Sequence, residues 1–137
     1  GANMTARIRD LYNEVSVGAG IAVTAVSSNT TTNGSIIDLQ GSGGVLWVLT
    51  VSGRTDGTYT PSIQVGNDSG LSDAETADSS TVKGDLTAIT ANGLTYYSLK
   101  ATTYRYARLR VASTSVTSGA TIGASAIKYD LDQVGGV

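Results

Sequence analysis

Residues 45–51 read Val45-Leu46-Trp47-Val48-Leu49-Thr50-Val51. Six of these seven side chains are apolar, and β-branched and aromatic types fit a pleated surface. With the period of two that a strand imposes, Val45, Trp47, Leu49 and Val51 share one face, and Leu46 and Val48 share the other. A strand apolar on both faces is buried on both sides or lies at an interface. The stretch therefore predicts a β-protein with a second layer over at least one face of this strand.

The flanking sequence repeats the pattern at lower intensity. Upstream lie the glycine cluster at 41–44, a short run at 36–39, the turn dipeptide Asn33-Gly34, and an apolar run at 21–26 closed by the polar stretch 27–33. The cluster at 41–44 lacks the Lys-Ser/Thr and the helix of a phosphate-binding loop, so it reads as a turn. Downstream, Asp56-Gly57 marks a turn before a strand at 59–65. Pro61 cannot donate to a ladder, so it places this strand at an edge or itself near the strand's start. A polar loop spans 66–80. Short strands are expected at 81–85 and 86–91, and Asn92-Gly93 turns into a strand at 95–101. Strands at 104–111 and 121–129 complete the series. Seven to nine strands at roughly 8–12-residue spacing, with no long helix and no fixed-period repeat, predict an all-β, two-sheet, jelly-roll-like sandwich.

The expected domain organisation follows. Residues 1–3 read as a tag remnant, 4–19 as an N-terminal arm, 20–130 as the β-sandwich and 131–137 as a frayed tail. Within the arm, Ile8, Leu11, Tyr12 and Val15 fall at helical spacing, while Leu11, Val15 and Val17 also fit an extended strand. The arm is expected to order against a neighbouring subunit. Leu11, Tyr12 and Val15, with Leu46 and Val48, are the candidate oligomer contacts.

Composition limits the chemistry. Hydrophobic residues make up 40% and charged residues 15%, both low for a globular domain, and Thr, Ser and Gly fill the difference. A net charge of −2 provides no basic field for nucleic acid, and no apolar run approaches the ~20 residues of a membrane span. The polar, charged N-terminal stretch does not read as a secretion signal. With neither Cys nor His, disulfides, thiolate metal sites and the commonest general base are absent. Lys83, Lys100 and Lys128 sit in no recognisable Ser-Lys motif. No catalytic residue, cofactor site or metal site is expected. Asp68, Asp73, Glu75 and Asp78 are the best oxygen ligands for a cation, but their spacing fits no known calcium loop and their segment has the composition of a solvated loop.

The sharpest local feature is Tyr104-Arg105-Tyr106-Ala107-Arg108-Leu109-Arg110-Val111. Strand alternation turns Ala107, Leu109 and Val111 to the core and lines the other face with Tyr104, Tyr106, Arg108 and Arg110. Tyr and Arg are enriched at protein interfaces, and such a stripe also suits stacking on single-stranded nucleic acid. The plain alternative is a solvated face whose arginines pair with nearby carboxylates. Tyr106, Arg108 and Arg110 are taken as the candidate contact with a partner protein or a sister subunit.

Residues 55–70, TDGTYTPSIQVGNDSG, resemble the TDGTYTP-x-(I/V)-Q-x-S-(D/N)-D-G segment of small structural proteins in tailed-phage head gene clusters. Three further segments resemble that family's strands and occur in the family's order: Ile36-Ile37-Asp38-Leu39-Gln40-Gly41, residues 104–111, and residues 117–127. The chain departs from the family after Gly70, where Leu71-Ser72-Asp73-Ala74-Glu75 stands in place of a Trp-containing strand. The resemblance implies a head decoration, or cement, protein. Such a protein is made in the bacterial host cytoplasm and binds the major capsid protein on the head exterior as a symmetric dimer or trimer. The alternative is a carbohydrate- or host-binding sandwich module, with Tyr59, Tyr96 and Tyr97 as its aromatic platform.

Overall fold

The computed structural model describes residues 15–100 and 103–129. The candidate contacts Leu11 and Tyr12 lie outside them. Ten strands form: β1 (Val15–Val26), β2 (Thr30–Asn33), β3 (Ile37–Asp38), β4 (Gly44–Ser52), β5 (Thr58–Gly66), β6 (Glu75–Thr76), β7 (Val82–Lys83), β8 (Gly93–Lys100), β9 (Tyr106–Thr114) and β10 (Ala120–Tyr129). They make two antiparallel sheets. Sheet A has the order β1-β10-β4-β8-β7, and sheet B the order β2-β9-β5-β6, with β3 also on β9. The pairs nest: β1 with β10, β2 and β3 with β9, β4 with β8, and β5 with β6. This is the nesting of one long antiparallel ribbon folded over itself, the jelly roll that the strand spacing predicts.

The core lies between the sheets. Sheet A turns Val45, Trp47, Leu49, Val51, Tyr97 and Ile122 inward, and sheet B turns Tyr59, Ile63, Leu109 and Val111 to meet them. Each such side chain contributes about 1.5–3 kcal/mol by leaving water, so this layer holds the sheets together. β1 crosses close to Trp47. A Cβ on Gly20 would come within 2.8 Å of the indole Cδ1, so only glycine lets the strand pass there. The register of β1 against β10 shifts twice, between Ala19 and Ile21 and between Ile21 and Thr24.

Pro61 sits where its missing N–H has no partner to lose. Tyr59 exchanges backbone hydrogen bonds with Ile89 at 2.9 and 2.7 Å, and the Ile63 carbonyl accepts from the Ala77 N–H at 2.7 Å. Backbone groups of alternate residues on β5 thus point away from β9. Pro61 falls in the gap between the Ile89 bridge and β6, which is the edge position its chemistry demands.

Several boundaries differ from the sequence reading. The polar stretch 27–33 contains β2, which β9 recruits at Ser113–Arg110 positions through pairing that composition does not reveal. The expected strand 81–85 shrinks to β7, and 86–91 is a loop with one bridge at Ile89, because Gly84 at φ +117 turns the chain off β8. β1 starts at Val15, so it runs across the expected boundary between arm and sandwich at residues 19 and 20.

Candidate functional site: two opposed sheet faces

The solvent face of sheet A is built from alternate residues of four strands. Register aligns Val17 with Ile127, Ile127 with Leu46, Val48 with Tyr96, and Thr50 with Leu94. Among the described residues no third layer covers this face. Val17 is 66% exposed, Val23 80%, Leu94 60% and Tyr96 64%, while Leu46, Val48 and Ile127 are half-buried among them. A groove of about 700 Å³ runs across the face, bounded by the bulged part of β1 on one side and Val48, Thr50 and Leu94 on the other. Gly123 forms part of its floor, with Val23 packed against it. Contiguous exposed apolar area is the kind of surface on which protein contacts are built.

The solvent face of sheet B has the opposite chemistry. Ala107, Leu109 and Val111 are fully buried, and Tyr106, Arg108 and Arg110 alternate with them on the outer side, each half-buried. The Arg108 Nε donates to the Gln64 Oε1 at 2.7 Å. Arg110 lies between Ser62 and Asn33 on the neighbouring strands. The guanidinium of Arg105 lies 5.1 Å from the centroid of the Tyr106 ring. Among the described residues the one ion pair is Arg105–Asp38, so no carboxylate there neutralises Arg108 or Arg110. Tyr104 lies just before β9, and its hydroxyl donates to Glu75 at 2.6 Å, which raises the phenol's pKa.

Three carboxylates of the 66–80 segment, those of Asp68, Asp73 and Asp78, serve their own loop. Asp68 accepts from the Gly70 and Ser72 N–H groups, Asp73 from those of Asn67 and Asp68, and Asp78 from that of Ser80. These donors hold Asp68 and Asp73 below the usual carboxylate range. Among the described residues no three acidic side chains gather around one point. Asp38, which sits between two apolar neighbours in sequence, finds its role through Arg105 (Nε to Oδ1 3.0 Å, Nη2 to Oδ2 2.9 Å).

The Thr55–Gly70 motif (TDGTYTPSIQVGNDSG) has a structural core. Asp56 accepts from the backbone N–H groups of Thr117, Ser118 and Gly119, and the Tyr59 hydroxyl donates to the Asp56 carbonyl at 2.9 Å. The motif therefore ties the start of β5 to the β9–β10 loop.

Of the residues singled out from sequence, Leu46, Val48 and Val15 lie on the outer face of sheet A, and Tyr106, Arg108 and Arg110 on that of sheet B. The two groups stand on opposite sides of the sandwich. Sequence reasoning missed Val17, Val23 and Leu94 as surface residues, since apolar side chains in strands read as core, and offered Tyr96 only as part of an aromatic platform. The alternation through Leu94-Thr95-Tyr96-Tyr97 was the available signal. The aromatic platform is not assembled: Tyr59 and Tyr97 are fully buried, and only Tyr96 of the three reaches solvent.

No family model matches the chain, and no curated protein matches it. Three solved structures are similar. One is the SPBc2 prophage-derived protein YomS, with TM-score 0.49 and 13% identity over 84% of this chain and 92% of the other. Another is the carbohydrate-binding module CBM32 of AlyQ in complex with 4,5-unsaturated mannuronic acid, with TM-score 0.36 and 18% identity over 85% and 95%. The third is PirA, with TM-score 0.31 and 17% identity over 85% and 93%. All three TM-scores lie under 0.5, so these likenesses carry no argument, and the fold rests on the chain's own strand pairing.

Proposed function

We propose that this chain is a non-enzymatic structural protein of a tailed-phage head, which self-associates and attaches to the outer surface of the capsid lattice. The observation that supports it best is the division of its surface. One sheet face is apolar and, among the described residues, uncovered, as a subunit contact requires, and the opposite face carries Tyr106, Arg108 and Arg110, as a contact with a second protein requires. The resemblance of residues 55–70 to head structural proteins supplies the context, and avidity over a repeating lattice makes modest single contacts sufficient.

The test is co-sedimentation with empty heads of a tailed phage, together with the mass in solution by light scattering. The wild type is expected to be a discrete oligomer that pellets with heads. Replacing Arg108 and Arg110 together by Ala should abolish pelleting while the circular dichroism and melting temperature stay unchanged. Undiminished pelleting of the double variant removes these arginines from the contact. A wild-type chain that binds no heads but gives hits on a glycan array would replace the proposal by a carbohydrate-binding module using Tyr96.

A further inference from the structure

The four sheet edges are finished in different ways. On β5, the outer side carries β6, the Ile89 bridge and Pro61. On β8, it carries β7, and Gly84 packs against the backbone of Tyr96 and Tyr97. On β9, it carries β2 and β3. Short strands, prolines and charges are the usual means by which an edge is blunted. β1 has none of these. It is 12 residues long, contains no proline and no charged residue, and pairs only with β10 among the described residues. Among the described residues the one backbone bond to its free side is from the Ser35 N–H to the Gly20 carbonyl, at 2.7 Å.

That bond and the two register shifts divide β1. Residues 20–26 are bent over the groove and tied to the loop after β2. Residues 15–19 stay in unbroken register with 125–129 of β10, and their free edge faces outward. Ser16, Val17, Gly18 and Ala19 are exposed, and a Cβ on Gly18 would touch nothing within 4 Å. Among the described residues the outer-edge backbone donors and acceptors of this neutral strand have no partner. An exposed edge of this kind is a template on which another strand can add.

We propose that residues 15–19 of β1 pair antiparallel with the same residues of a second copy of this chain, about a two-fold axis at Val17, joining two A sheets into one. Two features select a second copy as the occupant. A strand without charge opposes itself with no like-charge cost. Antiparallel self-pairing centred on Val17 also sets Val15 against Ala19 of the other copy, all on the outer face, so the apolar surfaces bearing Val17, Ile127 and Leu46 in the two copies become continuous. A contact in which one patch meets itself is isologous and closes as a dimer. This inference rests on the self-association half of the proposed function and is independent of capsid attachment.

The chain contains no cysteine, which makes the test direct. Val17→Cys, and a 1:1 mixture of Ser16→Cys with Gly18→Cys, whose positions face each other in this register, are oxidised in dilute solution and run on non-reducing gels, with Val23→Cys as the control on the same face. Residues facing each other across an antiparallel pair have Cα atoms about 4.5–5.5 Å apart, within disulfide range. Val17→Cys should give a covalent dimer and Val23→Cys should not. Val17→Lys places two ammonium groups against each other at a site that is 66% exposed, and it should halve the light-scattering mass without changing the circular dichroism. A wild type that is monomeric at every concentration overturns both the self-association reading and the pairing. An oligomeric wild type, with Val17→Lys still oligomeric and no cross-link in Val17→Cys or in the mixture of Ser16→Cys with Gly18→Cys, overturns the pairing alone.

Discussion

The carboxylate of Asp38 and the guanidinium of Arg105, 67 positions apart in the chain, meet through two parallel hydrogen bonds of 3.0 and 2.9 Å. They tie the short strand β3 to the segment entering β9. Charge-assisted bidentate pairs of this kind are the stronger class of side-chain hydrogen bond.

The pair sets a pH dependence. The Arg105 hydrogen bonds, with that from the Gln40 N–H, lower the Asp38 pKa from 3.8 to about 2. Because the folded-state value lies below the unfolded one, the pair's contribution to stability is complete above the ordinary value and is lost as pH falls through about 2. Carboxyl NMR titration should place the Asp38 midpoint near 2, and Arg105→Ala should move it up toward 3.8. A midpoint unmoved by Arg105→Ala would assign the shift to the backbone.

Asp56 should act as the keystone of the β9–β10 loop. Three N–H groups converge on its carboxylate and hold its pKa down. Asp56→Ala leaves all three without that acceptor and should lower the melting temperature, whereas Asp56→Asn, which keeps one oxygen, should lower it less. Hydrogen exchange of residues 117–119 should accelerate in the same order.

Trp47 should be the costliest single truncation. Its side chain is fully buried, so Trp47→Ala should destabilise by about 3–5 kcal/mol in urea denaturation followed by circular dichroism. The indole N–H has no hydrogen-bond partner among the described residues. Trp47→Phe therefore abandons no hydrogen bond and should cost clearly less than Trp47→Ala.

The outer face of sheet A should tolerate charge as a fold but not as an interface. Leu94→Lys and Tyr96→Lys alter side chains that are 60% and 64% exposed, and stability should stay within about 0.5 kcal/mol. If this face is a subunit contact, both variants should lower the light-scattering mass. An unchanged oligomer would exclude the β8 side of the face from the interface.

Gly119 should resist substitution. Its φ of +92 lies in the region that favours glycine, and an added Cβ would overlap the carbonyl of Val26. Gly119→Ala should destabilise by more than about 1 kcal/mol, measured by thermal unfolding.

The sequence by itself determined most of the long strands and which way their side chains point. Alternation is a property of the local backbone, so Ala107, Leu109 and Val111 were legible as inward and Arg108 and Arg110 as outward without knowledge of any partner strand. The two-sheet class followed from the same signal, and the missing N–H of Pro61 alone limited it to an edge strand or to a place near its strand's start; the gap between the Ile89 bridge and β6 came from the pairing. The tertiary structure decided everything that depends on pairing across the chain. It set β1 against β10 and β3 against β9, brought Asp38 to Arg105 and Asp56 to residues 117–119, and turned the polar stretch 30–33 into a strand. It also left the second apolar face of sheet A bare. Val17, Val23, Leu94 and Tyr96 have the composition of a core, and only the absence of a third layer among the described residues makes them surface. Burial and hydrogen-bond partners are non-local quantities: they are fixed when the ribbon folds over itself.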